Sequence, residues 1–305
     1  MLSAEVKAEY GGRSGAASSC VASRMTSVHE RIADARQTLV RAGLTVENAR
    51  LDAEVLARHA LGWDRARLLA DGREPMPTDV DRRFSALIDR RATREPVAFI
   101  TGYREFWGLD FDVSRDVLIP RPETELIIEA VCERRHRRDD VRTIVDVGTG
   151  SGCLAVVLAR EFPRARVLAT DISAAALAVA ARNAMRHQVD RRVTFVRGDL
   201  LEPMRGSVDV VVSNPPYVPS AVELSPDIVR FEPPVALYSG HDGLTLVKRL
   251  LTSVRSRLGE DGLFVVEFGL GQDDQVQALA REASWRDVTI KADLQGIPRV
   301  AVMTK

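Results

Sequence analysis

The sequence predicts an α/β protein, a largely parallel sheet buried under crossover helices, with a small helical domain ahead of it. Three observations predict it. From Thr143 to the C-terminus, short unbroken Val/Ile/Leu runs alternate with helix-length amphipathic stretches, the pattern of a sheet covered on both faces. Before that, from Met25 to about Thr93, apolar residues recur at helical spacing only. The chain is 305 residues long, enough for two domains of ordinary size at ~100–200 residues each.

Residues 1–24 are rich in Gly, Ser and Ala between Gly11 and Ser23 and read as a disordered leader. In residues 25–95, a helical substrate-docking domain, Val28, Ile32, Ala35 and Leu39 form one helix face, with Gly43 as its stop. Glu47 to Leu61 is expected as a second helix, with Leu51, Val55 and Leu56 as its apolar positions and Gly62 as cap. Asp79 to Arg91 is expected as a further helix carrying Val80, Phe84, Leu87 and Ile88. Residues 96–121 read as a β-hairpin linker, with short strands at Val97–Ile100, Leu109–Val113 and Val117–Ile119 and turns at Gly102 and Gly108. Pro122 opens a helix running to about Arg135, since proline suits a first helical turn.

The remainder of the last domain, 122–305, alternates. Strands are expected at Thr143–Val147, Arg166–Thr170, Val193–Val196, Val208–Val212, Leu263–Phe268, Val288–Ala292 and Val300–Met303. Helices are expected at Cys153–Glu161, Ala174–His187, Leu244–Leu258 and Gln272–Ala283. Right-handed crossovers put the ligand site beyond the C-terminal ends of such strands, so those ends are where chemistry is to be sought.

Composition narrows the function. Lys+Arg and Asp+Glu both number 43, so the net charge is zero, against a protein whose main work is gripping a phosphate backbone. The three cysteines, Cys20, Cys132 and Cys153, form no CxxC pair, and sparse cysteine fits the cytoplasm. The five histidines show no metal-ligand spacing, so no metal is expected, and no apolar run is long enough to cross a membrane. The run Arg134-Arg135-His136-Arg137-Arg138 reads as a solvated helix end, with contact to a ribosomal partner as the minority reading.

After the first strand stands Asp146-Val147-Gly148-Thr149-Gly150-Ser151-Gly152. Alternate glycines let the backbone turn tightly and approach a ligand, with helix N–H groups aimed at it. A dinucleotide fingerprint would need a third glycine at Cys153, and no GK[ST] follows for a phosphate loop. Asp171 ends the second strand, where an acid can accept from both ribose hydroxyls; alternatively it caps the next helix, a role for which Ser173 competes. Asp199 and Leu200 follow the third strand. After the fourth comes Asn214-Pro215-Pro216-Tyr217. Two prolines rigidify that backbone and remove two N–H donors, so an Asn carbonyl and a proline carbonyl are free to hold both hydrogens of a planar NH2 group.

The D-x-G-x-G-x-G loop resembles the cofactor loop of class I S-adenosylmethionine-dependent methyltransferases, and Asn-Pro-Pro-Tyr resembles the motif of those acting on amide or amino nitrogens. With the flanks Gly102–Gly108, Leu118–Glu125, Phe231–Leu237 and Gly240–Leu244, the chain from Met25 to Lys305 looks like a release-factor glutamine methyltransferase (the HemK or PrmC family). That resemblance implies a Rossmann-like seven-stranded sheet, S-adenosylmethionine as cofactor, and a peptide-chain release factor as substrate, methylated on N5 of the glutamine in its Gly-Gly-Gln loop. It implies cofactor contacts from Gly148, Thr149, Gly150, Ser151, Gly152, Asp171, Asp199, Leu200 and Asn214, Asp199 accepting from the adenine amino group. Asn214 and Tyr217 would be catalytic. Asn214, Pro215, Pro216 and Tyr217 would hold the substrate, with Phe106 or Trp107 walling its pocket.

Two other classes compete. A nucleic-acid base amino-group methyltransferase, of the adenine N6 type, would use the same motif but needs base extrusion and phosphate contacts that a neutral chain argues against. A non-enzymatic S-adenosylmethionine sensor would have no use for the amide clamp. Gly148-Thr149-Gly150-Ser151-Gly152 also spells G-x-S-x-G, but a hydrolase would leave Asp171, Asp199 and Asn-Pro-Pro-Tyr unexplained.

Overall fold

The computed structural model describes residues 26–305, so the leader lies outside the described residues. Helix α1 (Val28–Arg41) starts from a capping box in which Ser27 Oγ accepts from the Glu30 N–H and the Glu30 carboxylate accepts from the Ser27 N–H. Helix α2 (Val46–Leu61) starts at Thr45 and stops at Gly62, whose φ of 67° is the left-handed cap expected of glycine. Helix α3 (Arg65–Asp71) is an addition to the expected set, only seven residues long and capped by Asp64. It is too short for periodicity to reveal. Helix α4 (Thr78–Ala92) buries Val80, Phe84 and Ile88.

The buried face of α2 differs from the expected one. Leu51 and Val55 are 43% and 37% exposed, while Ala49, Ala53, Leu56, Ala57 and Ala60 are buried. α2 is wedged between its neighbours, and small side chains allow the close approach that Leu51 would prevent.

The linker also departs from expectation at its start. Val97–Thr101 is a short helix, α5, and not a strand. Pro96 presets the turn, and its carbonyl accepts from the N–H groups of Phe99 and Ile100. The hairpin proper is β1 (Tyr103–Phe106) against β2 (Leu109–Asp112), antiparallel. Its two-residue turn, Trp107-Gly108, has positive φ at both positions, 55° and 68°, as a type I′ turn requires. Val117–Ile119 is no strand; the Ile119 N–H donates to the Glu232 carboxylate. Pro122–Thr124 forms a single 3-10 turn leading into α6 (Glu125–Arg134).

The sheet domain runs β3 (Thr143–Val147), α7 (Cys153–Glu161), β4 (Arg166–Asp171), α8 (Ala174–Arg186), β5 (Val193–Arg197), β6 (Val208–Ser213), α9 (Pro226–Val229), α10 (Thr245–Val254), β7 (Leu258–Glu267), α11 (Asp273–Glu282), β8 (Asp287–Ala292) and β9 (Pro298–Thr304). The seven strands lie in the order β5-β4-β3-β6-β7-β9-β8. All neighbours pair in parallel except β9, which is antiparallel to both β7 and β8. The strand order reverses between β3 and β6, which opens the crevice where ligands of such sheets bind. One apolar cluster built around α6 and α7 covers one face, and another around α10 and α11 covers the other.

The basic run at the end of α6 is mostly exposed, as a solvated helix end is, and three of its five residues reach partners within the chain. Arg134 donates to Asp287 and Thr289, Arg135 to the carbonyls of Asp209 and Asp261, and Arg138 pairs with Glu161. Among the described residues, no helix is long and apolar enough to cross a membrane.

Candidate active site

A cleft of about 290 Å³ opens at the β3/β6 switch point. It is lined by the turns after β3, β4, β5 and β6, closed on one side by residues 116–124 and on another by Pro233, Val235 and Ala236. The three glycines of the first turn all have positive φ, 72°, 54° and 81°. At Gly148 and Gly150 an added Cβ would meet no atom, so conformation alone demands glycine there. At Gly152 a Cβ would lie 2.9 Å from Ala180, so close packing of α7 on α8 demands it too.

Asp171 braces this turn. One carboxylate oxygen accepts from the Gly150 N–H at 2.9 Å and the other from the Ser173 N–H at 2.9 Å. Ser173, not Asp171, caps α8, with its Oγ accepting from the Ala176 N–H. Each Asp171 oxygen keeps a lone pair for a ligand, and the acid lines the cleft. Leu200 also lines the cleft in a left-handed conformation, φ 49°, held by Thr170 Oγ1 donating to its carbonyl. Asp199 lines it too, paired with Arg249 at 2.7 Å. The glycine turn, the two acids and the apolar walls fit an elongated cationic nucleoside such as S-adenosylmethionine.

The four residues after β6 form the opposite wall, where Asn214, Pro215 and Pro216 face the cleft. Asn214 Nδ2 donates to Thr124 Oγ1 at 2.9 Å, which leaves Oδ1 free to accept from a ligand. Tyr217 is turned away from the cleft, its hydroxyl donating to Glu267 Oε1 at 3.1 Å. Burial pushes its phenol well above the usual range, so it stays protonated.

The description "PrmC N-terminal domain" matches residues 30–102, and "Methyltransferase small domain" matches residues 122–231. The release factor glutamine methyltransferase of Moorella thermoacetica is 45% identical over 257 residues, 83% of this chain and 90% of that protein. The one from Koribacter versatilis is 44% identical over 262 residues, 84% of this chain and 91% of the other. The chain belongs to the release factor glutamine methyltransferase family. Solved structures show the same class I methyltransferase fold. A methyltransferase from Pyrococcus furiosus superposes with a TM-score of 0.50 at 16% identity, covering 74% of this chain and 98% of its own. The N-terminal domain of human METTL16, in complex with SAH, also scores 0.50, at 18% identity, covering 81% and 93%. The chain is therefore an S-adenosylmethionine-dependent methyltransferase.

In this family member the expected wall residue Phe106 is elsewhere. It is 1% exposed and packs edge-on against Phe111, ring centroids 6.1 Å apart, in the core beneath α6 and α7. It is the one buried side chain of β1, whose other three are exposed. Trp107 is held by Glu125 and Glu161, also away from the cleft. Cys153 also lines the cleft, and burial pushes its thiol up to about 12, so it sits there as a protonated, apolar side chain.

Several residues of the site were not anticipated. Arg121, on the segment before α6, pairs with the buried Glu232 at 2.5 Å, joining two of the flanking motifs that looked separate in the sequence. Thr124, at the end of the Leu118–Glu125 flank, lines the cleft as well. Ile172, apolar yet 54% exposed, lines the cleft beside Asp171. Glu267 is 1% exposed at the end of β7, and burial raises its carboxyl to about 7. Asp146, at the end of β3, is 0% exposed; it is also pushed up to about 7 by burial, although Thr149 and the Ala155 N–H donate to it.

Proposed function

We propose that this enzyme transfers a methyl group from S-adenosylmethionine to the side-chain amide nitrogen, N5, of the glutamine in the Gly-Gly-Gln loop of a peptide-chain release factor. The observation that carries the reading is Asn214 Oδ1, left free at the cleft wall beside a proline carbonyl that has no competing N–H donor next to it. S-adenosylmethionine supplies an electrophilic methyl on a sulfonium centre, whose sulfur keeps the bonding electron pair. An amide nitrogen is a poor nucleophile because its lone pair is delocalised, so positioning must supply much of the acceleration. Asn214 Oδ1 and the Pro215 carbonyl accept the two amide hydrogens and stabilise the positive charge that develops on nitrogen. The nitrogen sheds a proton after transfer. No general base is needed, because an N-methylated amide cation is strongly acidic.

Gly148, Thr149, Gly150, Ser151 and Gly152 cradle the cofactor, with Asp171 on its ribose and Leu200 against its base. Asp199 takes the adenine amino group on the oxygen lone pairs that Arg249 leaves open. Pro216 shapes the wall, and Tyr217 anchors the motif from behind, in place of stacking on the substrate. The helical domain of residues 25–95 docks the release factor, and its exposed Leu51 and Val55 offer apolar contact for a protein partner.

The test is to supply labelled S-adenosylmethionine with release factor and with duplex DNA in parallel. Label on the release-factor glutamine alone is expected, whereas label on DNA alone would overturn the assignment in favour of base methylation. Asn214→Ala should lower turnover ~10²–10³-fold while cofactor affinity stays within a few-fold, the usual cost of one preorganised contact. Asn214→Asp, which keeps an acceptor, should retain part of the activity; wild-type turnover by Asn214→Ala would refute the amide clamp.

A further inference from the structure

We infer that Asp227 is a positioning residue for methyl transfer: with Arg91 and Arg94 it locks the helical domain to the wall of the cleft, so that a docked release factor presents its glutamine to Asn214 in one register. The inference rests on the reading that the helical domain docks the release factor.

The lock is a short chain of charges that alternate in sign. It begins on α2 at Asp52, next to Leu51, one of the exposed apolar residues offered to a protein partner. Asp52 Oδ2 accepts from Arg91 Nε of α4 at 2.7 Å. Nη1 of the same guanidinium donates to Asp227 Oδ2 at 2.8 Å, and Arg94 Nε donates to Asp227 Oδ1 at 2.7 Å. Each oxygen of Asp227 therefore has its own arginine from the helical domain. The side chains of Arg91, Asp52, Asp227 and Arg94 are 8%, 19%, 21% and 26% exposed, so solvent and salt screen these pairs little. Two acids balance two bases, and no charge in the chain is left over. Arg94 also holds φ at 76°, a left-handed conformation that a residue other than glycine keeps only where its surroundings impose it. Its Nη1 donates to the Gly43 carbonyl at the end of α1, so this one side chain spans from the helical domain to α9.

α9 leads straight into the cleft wall. The Glu232 N–H donates to the Ile228 carbonyl at 2.9 Å, and Pro233, Val235 and Ala236, which follow, line the cleft. The Leu237 carbonyl then accepts from the N–H of Val218, the residue after Tyr217, at 2.9 Å. This strap has a second anchor at Glu232, which accepts from Arg121 at 2.5 Å and from the Ile119 N–H at 3.2 Å. That anchor owes nothing to the helical domain. Cutting the lock at Asp227 leaves the wall standing and frees the docking domain from it. A substrate held by the enzyme at one point reacts fast at another only while the two keep their geometry, and a shift of about 1 Å is enough to cost ~10²-fold.

The experiment compares wild-type enzyme with Asp227→Asn and Asp227→Arg on two substrates, intact release factor and a short synthetic peptide carrying Gly-Gly-Gln, which has no docking surface. Asp227→Asn keeps the shape and removes the charge, and Asp227→Arg sets a third cation against Arg91 and Arg94. Calorimetry measures S-adenosylmethionine affinity, and thermal unfolding checks the fold. On release factor, kcat should fall roughly 3–10-fold in Asp227→Asn and roughly 10–100-fold in Asp227→Arg, with KM within about threefold. Peptide turnover, followed with enzyme in excess, and cofactor affinity should stay within about twofold in both variants, which a general loss of structure would not allow. Wild-type kcat on release factor in both variants, an equal fractional loss on the peptide, or a loss confined to KM would each overturn the inference. If Asp227→Arg does not fold, Asp227→Asn decides by the same criteria. A wild-type KM no lower for release factor than for the peptide would instead overturn the docking reading, and failure of the wild-type enzyme to methylate release factor would overturn the functional one, so the failures are distinct.

Discussion

Asp171→Ala offers a direct reading of the cofactor end of the cleft. In the wild-type protein its carboxylate accepts two main-chain N–H groups, Gly150 and Ser173, each at 2.9 Å. Hydrogen bonds to a charged acceptor contribute about 1.5–3 kcal/mol each, and half-exposure at this site argues for the lower part of that range. The glycine turn loses its brace in the variant, so cofactor binding must order it again, and the ribose loses its acceptor. Together these weaken S-adenosylmethionine by about 2–4 kcal/mol, or roughly 30–700-fold in Kd. Asp171→Asn keeps one acceptor but points an NH2 group at the other N–H, and should lose roughly 5–30-fold, about 1–2 kcal/mol. Calorimetric titration of cofactor measures both, with thermal unfolding as a control that the fold persists. A folded Asp171→Ala variant with wild-type affinity would remove Asp171 from the site, and equal losses in the two variants would refute the two-bond argument.

Two further outcomes test the surroundings of the cleft. Glu232 is 3% exposed and Arg121 is the charge that balances it. Arg121→Ala should therefore destabilise by about 3 kcal/mol in urea unfolding, and Glu232→Gln by less, because only the first leaves a buried carboxylate unpaired; the reverse order would show that the pair does not matter through desolvation. Asp146 is held near 7 when folded against an ordinary value of 3.8. Its proton is retained on folding and lost on unfolding between those values, so the stability it contributes is present below about 4 and disappears as pH rises through about 7. Asp146→Asn should raise the melting temperature more at pH 8 than at pH 5, and an equal shift at both would contradict a raised pKa.

Apart from the four-residue α9, the order of strands and helices after Thr143 was legible because most strands are runs dominated by Val, Ile and Leu and the helices between them are long enough to show their own period, and both signals are local. The turn glycines and the paired prolines were legible for the same reason, since backbone conformation is dictated by the residue that adopts it. Where a segment is short, locality fails. Val97–Thr101 has four apolar residues that suit strand or helix equally, and Pro96 with its carbonyl partners decides for the helix. Where helices press together, hydropathy misleads. α2 buries its alanines and exposes Leu51 and Val55, because close approach selects for small volume. The family resemblance implied Phe106 as a wall of the substrate pocket, and packing against Phe111 places it in the core instead, a contact that no local pattern shows.

By itself, the sequence determined which residues stand at the ends of the strands: a glycine turn, acids at Asp171 and Asp199, and Asn214 followed by a backbone stiffened by Pro215 and Pro216. It did so because each of those properties belongs to a residue and its immediate neighbours. Only the tertiary structure decided which groups stand behind them. Arg121 meets Glu232 across 111 positions, and Tyr217 meets Glu267 across 50. Asn214 reaches Thr124 across 90. The meetings across β6 and β7 follow from parallel register and from the reversal of strand order between β3 and β6, which no local pattern encodes, and it is burial at one of them that raises Glu267 to about 7.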